Sequence, residues 1–232
     1  MPSMMCTCCT APVATSLRRR GTPLAGCISY WIGNPVLNPA VLVFLLLVLP
    51  WQYAAVRLVL GAALVIGAGV LVARAVEPAP LASSPVTVLP EPRDAESLAE
   101  LPGRYLRSLI RFTVVLVPEY VITVFAVGMV SGMLSDFGEF QRQLGVVAVL
   151  LTAVIATALV VPTGGEIPVI AAVTAAGAGA GLGGVLLIAL PALSLPSMVM
   201  VGRSFGWRAT GVTGVLVVGA SVLAGGILAV LL

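Results

Sequence analysis

Three cysteines fall within four positions near the start of the sequence, in the segment Cys6-Thr7-Cys8-Cys9. Thiolates are soft ligands, so thiols this close could bind a soft species such as a trivalent arsenical, Cu(I) or a sulfur compound. The thiolate is the reactive form, and a nearby helix N-terminus would lower the pKa of such a thiol. Cysteine is also a small residue that lets helices pack closely, and this alternative stays open.

A single acid, Glu166, stands between two prolines and beside Gly164 and Gly165 at the edge of an apolar run, with Thr163 just before the glycines. An ionisable group at membrane depth is costly, so we expect Glu166 to carry a proton or to bind a cationic group. It could instead cap the helix that follows, because an acid near a helix N-terminus is favourable. Thr163 to Glu166 therefore form a second part of the candidate substrate site.

A second acid, Glu119, lies near the middle of the apolar run 104–134. No arginine lies within one helical turn of it, so Glu119 needs a partner from another helix or a protonated state. Together with Glu166 it is a candidate for proton coupling. The alternative is a water-filled crevice in which Glu119 has no direct role.

Asparagine precedes proline twice, at Asn34-Pro35 and Asn38-Pro39, four residues apart and thus one helical turn. Each proline leaves a helical carbonyl without its donor. Each asparagine side chain could satisfy such a carbonyl or contact a solute, so Asn34 and Asn38 join the candidate site. A kinked helix that serves only packing is the alternative.

The composition shows what must surround these residues. The 232-residue chain is 59% hydrophobic and only 9% charged, whereas soluble domains carry about 25% charged residues. Lipid must therefore cover much of its surface. The apolar runs are continuous and not alternating, which excludes a membrane barrel. We predict an all-α, polytopic transmembrane helical bundle, that is, a multi-pass membrane protein.

The charged residues exclude several classes of protein. Twelve basic residues face nine acids, and the chain has neither histidine nor lysine. The arginines are expected at the ends of apolar spans, so no nucleic-acid surface is predicted. Without histidine, Ser–His and His–metal catalysis are excluded within this chain. We predict no enzyme activity, no cofactor and no metal site, and the cysteine spacing is not that of a disulfide framework.

The apolar runs divide the chain. Trp51–Val76 is a continuous span, residues 77–103 are a Pro-rich hydrophilic connector, and residues 104–161 hold two spans. Residues 21–50 are predicted to break at Gly33–Pro35 and at Asn38-Pro39. A small-residue helix after Pro168 is predicted to break at Pro191 and Pro196, and residues 209–232 form the last span. The cluster Arg18–Arg20 favours a cytoplasmic position for its end of the molecule.

Shifting the sequence by 156 residues aligns two segments, 1–76 and 157–232. The aligned pairs include residues that interrupt helices or lie at membrane interfaces, namely Thr7 and Thr163, Pro12 and Pro168, Gly21 and Gly177, Pro35 and Pro191, Trp51 and Trp207. We predict two related halves with broken, re-entrant or discontinuous helices. Two spans precede the second half and nothing precedes the first, so we expect Met1 to be an internal methionine of a longer protein. The alternative is a short protein that pairs with another subunit.

Broken helices at matching places indicate a transporter site. Within hydrocarbon every backbone polar group must be paired, so helices break only where protein or a water-filled cavity shelters them. A break also presents free N–H groups and the positive end of a helix dipole, which can hold an anion or a polar solute.

Three segments together resemble the ArsP-like family of predicted permeases: residues 3–13 (SMMCTCCTAPV), 33–39 (GNPVLNP) and 162–168 (PTGGEIP). The resemblance implies a multi-spanning inner-membrane permease with two related halves. It also implies spans ahead of the cysteine motif, and some members of the family are implicated in efflux of trivalent organoarsenicals.

The leading hypothesis is a permease that moves a small molecule or ion across the lipid bilayer, with efflux of a thiol-binding species as its specific form. A channel or a membrane subunit of a larger transport complex is the alternative, and a membrane enzyme or thiol carrier that uses the cysteine cluster is a third. Assembly as a homo-oligomer stays open.

Overall fold

The computed structural model describes residues 6–76 and 145–232, and within these two ranges the chain forms nine helices and no strand. In chain order the helices are α1 (Thr7–Arg19), α2 (Leu24–Val36), α3 (Pro39–Val48), α4 (Trp51–Val76), α5 (Val146–Ala158), α6 (Glu166–Ala175), α7 (Ala180–Ala192), α8 (Leu195–Phe205) and α9 (Trp207–Leu231). The predicted all-α bundle is confirmed. The predicted connector 77–103, the predicted span 104–134 and Glu119 lie outside the described residues.

Three stretches of the described chain are long and apolar enough to cross a membrane: Leu24–Val48, Trp51–Val76 and Trp207–Leu231. The pair α7 and α8 makes a fourth if it is counted as one span, with a bend of 50° between its two helices. Large apolar side chains on the outer faces of α4 and α9 are exposed, for example Ile66 at 69% and Val215 at 72%. Such a surface is suited to lipid, which confirms the prediction of a multi-pass membrane protein.

Of the two breaks predicted in each stretch, the second is found, at Asn38-Pro39 and next to Pro196, and the first is absent. Pro35 lies inside α2 and Pro191 inside α7, and the chain leaves the helix only at Leu37 and Leu193. At the first break the reason is the next proline. Asn38 is extended because it precedes Pro39, and residues before proline avoid the helical region. Prolines then occupy the first turns of α3 and α8, where their missing N–H costs nothing.

Other elements also depart from the prediction. Residues 7–19 form a helix although no element is predicted there, and this helix accommodates Pro12 in its interior. The small-residue helix predicted after Pro168 is two helices, α6 and α7, separated at Gly177. Helix α5 has 13 residues, fewer than the roughly 20 needed to cross the hydrocarbon core alone.

Helices α1 and α6 end in the same kind of turn. Gly21 has φ 89° and Gly177 has φ 87°, a left-handed conformation that glycine adopts at little cost. The amide of Thr22 donates to the carbonyl of Leu17, and the amide of Ala178 donates to that of Val173. These are the hydrogen bonds of a Schellman cap. The two turns are 156 residues apart, as are the first residues of α2 and α7, of α3 and α8, and of α4 and α9.

Close helix crossings depend on glycine. A Cβ atom added at Gly69 of α4 would stand 2.8 Å from the carbonyl oxygen of Ala25 in α2. A Cβ added at Gly225 of α9 would stand 2.7 Å from the carbonyl oxygen of Gly181 in α7. The backbones of each pair therefore touch, as small residues allow in membrane bundles. These crossings fix α2 on α4 and α7 on α9, and so position the breaks that follow α2 and α7.

Adjacent glycines in α9 test this packing. Gly225→Ala should lower stability by about 1–3 kcal/mol, because the new methyl group meets backbone that must shift. Gly226→Ala is the matched control, since a Cβ there would meet nothing within 4 Å. Thermal unfolding in detergent should show a lower Tm for Gly225→Ala alone. Equal Tm values for the two variants would contradict the crossing.

Candidate functional site

The N-terminus of α1 lies against the break between α7 and α8. The hydroxyl of Thr7 donates to the hydroxyl oxygen of Ser194 over 3.3 Å, and the sulfur of Cys8 is 3.2 Å from the same oxygen. Ser194 is extended and forms a capping box with Ser197 at the start of α8. This neutral hydrogen-bond network joins α1 to the second broken helix pair.

The N-terminus of α6 lies against the other break, between α2 and α3, through the side chain of Arg57. Arg57 comes from α4 and is fully buried. Its Nη1 donates to Oε1 of Glu166 over 2.7 Å, its Nε to the carbonyl of Val36 over 2.9 Å, and its Nη2 to the carbonyl of Pro35 over 2.9 Å. Glu166 is the first residue of α6 and is 1% exposed.

The sequence explains why these carbonyls need Arg57. In a continuous helix the carbonyl of Pro35 would accept from residue 39, but Pro39 has no N–H. The carbonyl of Val36 would accept from Ala40, whose amide instead donates to Oδ1 of Asn38. The planar guanidinium supplies several donors in a fixed fork. A single side chain can therefore satisfy both carbonyls and the carboxylate.

Pro35 leaves one more carbonyl without its helical donor, that of Trp31. The hydroxyl of Thr10 in α1 donates to this carbonyl over 3.0 Å, and Thr10 is fully buried. Thr10 also stands 156 residues before Glu166, and Thr213 stands 156 residues after Arg57. Thr213 donates to the carbonyl of Ala209 in its own helix. The residues 156 positions from Arg57 and Glu166 are thus threonines and carry no charge.

The two helix N-termini and the two interior prolines surround a small space, which we call the central cavity. It is lined by Cys6, Thr7, Pro35, Val161, Pro162, Thr163, Glu166 and Pro191. Its volume of about 10 Å³ is close to the room that a single water needs. The described conformation is thus closed around a polar site.

The predicted site residues separate into three groups. Cys6, Thr7, Thr163 and Glu166 line the central cavity. Turn geometry explains the glycines, because Gly164 has φ 83° and a Cβ on Gly165 would stand 2.9 Å from a methyl group of Val161.

Asn34 and Asn38 lie elsewhere, in a groove of about 260 Å³ along α2 and the start of α3. Asn34 donates to the carbonyl of Tyr30, and Asn38 caps α3. The structure thus gives both asparagines local backbone partners and does not bring them to the central cavity.

Two of the three clustered thiols come together. The sulfur atoms of Cys6 and Cys9 are 3.3 Å apart, whereas Cys8 turns to Ser194. No group of three metal-ligating side chains occurs in the part of the chain that the structure describes. Cys6 lies outside the candidate spans, and its burial, together with Cys9, raises the pKa of its thiol to about 11.

Arg57 is the main residue that the sequence interpretation missed. The expectation that arginines lie at the ends of spans is wrong here, because Arg57 lies six residues inside α4. An arginine within an apolar span is itself a signal of a functional or paired site. The presence of a lone acid, Glu166, at the edge of another apolar run makes an ion pair between them the natural expectation.

Comparison with known proteins places the chain in a family. The model of the family ArsP_1, predicted permease, matches residues 2–230. The UPF0718 protein YraQ of Escherichia coli (strain K12) is 37% identical over 228 residues. That match covers 98% of this chain and 64% of the relative, so the chain spans a little under two thirds of the length of YraQ. No solved structure matches.

A double-mutant cycle tests the buried pair. Arg57→Met leaves Glu166 and two carbonyls without donors, so it should cost about 3–5 kcal/mol of unfolding free energy. Glu166→Gln in the same background should cost less than it does in the wild type, with a coupling of about 0.5–3 kcal/mol. Unfolding in detergent and denaturant measures both values.

The control is Arg74→Met, which removes the same charge from the last turn of the same helix. It should have a small effect. Additive losses for Arg57→Met and Glu166→Gln would show that the two side chains do not interact.

Proposed function

The chain belongs to the ArsP_1 family of predicted permeases, and from this premise we propose that it moves a small solute through the central cavity by alternating access. The observation that carries the proposal is the sequence spacing of the residues that line the cavity. Three pairs of lining residues are 156 positions apart: Cys6 with Pro162, Thr7 with Thr163, and Pro35 with Pro191. A site on the boundary of two related halves is where inverted or parallel repeats of transporters bind solute.

The matching helix bounds, terminal turns and glycine crossings support two related halves, α1–α4 and α6–α9. The N-terminus of one short helix in each half lies against the helix break in the other half. Rocking one half against the other would part these contacts and widen the cavity. The closed cavity is then an intermediate between a state open to one side of the membrane and a state open to the other.

Glu166 is suited to couple this motion to a proton. As a carboxylate it forms a charge-assisted hydrogen bond with Arg57, and such bonds are about twice as strong as neutral ones. Protonation removes that charge and weakens the one ionic contact between α4 and α6. Glu119, outside the described residues, is the second candidate for this role.

The pair Cys6 and Cys9 favours a soft solute with two exchangeable positions. A trivalent organoarsenical of the form R–As(OH)₂ fits this chemistry. Two As–S bonds form and two As–O bonds break, the two thiol protons leave with the two hydroxyl groups as water, and arsenic keeps its oxidation state. Because the exchange is reversible, the solute could be released on the other side. We propose efflux across the inner membrane, with Arg18–Arg20 on the cytoplasmic side.

The thiol pair gives the first transport prediction. Cys6→Ser and Cys9→Ser should each reduce the efflux of a trivalent organoarsenical from cells or vesicles by at least about tenfold, because a single thiol cannot hold both positions. Cys8→Ser is the matched control, since a hydroxyl can keep the hydrogen bond to Ser194. Unchanged efflux in the first two variants would reject the soft solute and leave the permease open to other solutes.

Proton coupling gives the second transport prediction. In vesicles, flux through the wild type should rise with an imposed pH gradient, and Glu166→Gln should remove this dependence because its side chain cannot titrate. Thr163→Ser is the control, since it alters the cavity wall without altering a charge. If flux through the wild type does not depend on the pH gradient, a channel is favoured over a coupled permease.

A further inference from the structure

An open groove runs between α1 and α8, on the outside of the part of the bundle that residues 6–76 and 145–232 form. Its volume is about 640 Å³, and it is lined by Thr15, Arg19, Leu195, Pro196, Val199, Met200, Arg203 and Ser204. We call it the α1–α8 groove. None of the roles assigned so far uses it.

The groove has an apolar part and a cationic part. Leu195 and Pro196 lie at the start of α8, next to Ser194, where α1 also starts. Arg19 and Arg203 lie in the last turns of α1 and α8. The two helices therefore run in the same direction, and the groove leads from an apolar end near the central cavity to an end with two positive charges.

The two arginines have no counter-charge within residues 6–76 and 145–232. No hydrogen bond or ion pair within these ranges engages the side chain of Arg19 or Arg203, whereas Arg18 donates to the carbonyl of Thr22. Arginine near a helix C-terminus can serve the helix dipole alone. However, α6 ends in the same turn as α1 without any basic residue in its last turn. The turn itself therefore does not require Arg19.

An exposed aromatic residue lies beside the cationic end of the α1–α8 groove. Trp207 is 62% exposed, and its ring lies against Gly202, next to Arg203. Tryptophan concentrates at the level of lipid headgroups. Leu195 and Met200 in the groove are 55% and 40% exposed, so the apolar part faces outward as well.

We propose that the α1–α8 groove binds an anionic phospholipid. The phosphate group lies between Arg19 and Arg203, and the upper part of an acyl chain lies along Leu195, Val199 and Met200. Basic pockets between helices bind lipids of this class. A small oxyanion would need only the arginines and would leave the apolar part of a 640 Å³ groove uncovered. A lipid would also contact α1 and α8 at once, the two helices joined by the Thr7–Ser194 contact.

The test uses the full chain in nanodiscs and a spin-labelled or fluorescent phosphatidylglycerol as the probe. The wild type should bind phosphatidylglycerol in preference to phosphatidylcholine. Arg19→Gln and Arg203→Gln should each weaken binding roughly fivefold, the factor given by about 1 kcal/mol per arginine near a membrane surface. Arg19→Lys with Arg203→Lys should bind nearly as well as the wild type, which also shows that the arginine positions tolerate substitution.

The control is Arg208→Gln, which removes one charge at the start of α9, outside the groove. An equal loss in this variant would show attraction to general surface charge and would overturn the site. Equal binding of phosphatidylcholine would also overturn it. Complete displacement of the probe by millimolar inorganic phosphate would identify a site for a free anion and reject the lipid.

Discussion

The buried pair of Arg57 and Glu166 is the constraint on which the closed structure depends. A fully buried arginine in a membrane-spanning helix is costly unless it is paired with an acid and hydrogen-bonded. Here the guanidinium serves two carbonyls at the end of α2 and the carboxylate at the start of α6. Without it the break after α2 would leave backbone acceptors unpaired in an apolar environment. The ion pair thus makes the broken helix tolerable and, by the same contacts, closes the central cavity.

The second break uses different chemistry in a similar place. Ser194 meets Thr7 and Cys8 through neutral hydrogen bonds, and threonines stand where Arg57 and Glu166 would be expected from the 156-residue spacing. The two breaks therefore have similar helix geometry but differ in charge, since an ion pair lies at the first and neutral side chains lie at the second. The contact at Glu166 is ionic, whereas the contact at Ser194 is made of neutral hydrogen bonds. Under our proposal, this difference in charge allows the contacts on the two sides of the cavity to be broken separately.

Much of the fold follows from the sequence because apolar length and helix-interrupting residues are local signals. Trp51–Val76 was predictable to the residue, and Glu166 was recognisable as an acid in an apolar setting. The breaks predicted at Pro35 and Pro191 are absent; at Pro35 the hydroxyl of Thr10, from another helix, satisfies the carbonyl that the proline leaves without a donor. The partner of Glu166 is 109 positions away in sequence; the sequence singles out both charges in apolar runs, but their contact depends on the packing of α4 against α6. The contact between Cys6 and Cys9 follows from their spacing of three residues at the start of α1, whereas the separation of Asn34 from the cavity depends on three-dimensional packing.

The central claim is that the cavity between the two broken helix pairs opens to both sides of the membrane in turn. Thr163→Cys, in a chain whose four cysteines have been replaced by serine, places one thiol on the cavity wall. Labelling by a membrane-impermeant thiol reagent in right-side-out and inside-out vesicles measures access from each side. The account predicts that this position is labelled from both sides, at rates that change in opposite directions with an imposed pH gradient. Labelling from one side only, or from neither, would contradict it.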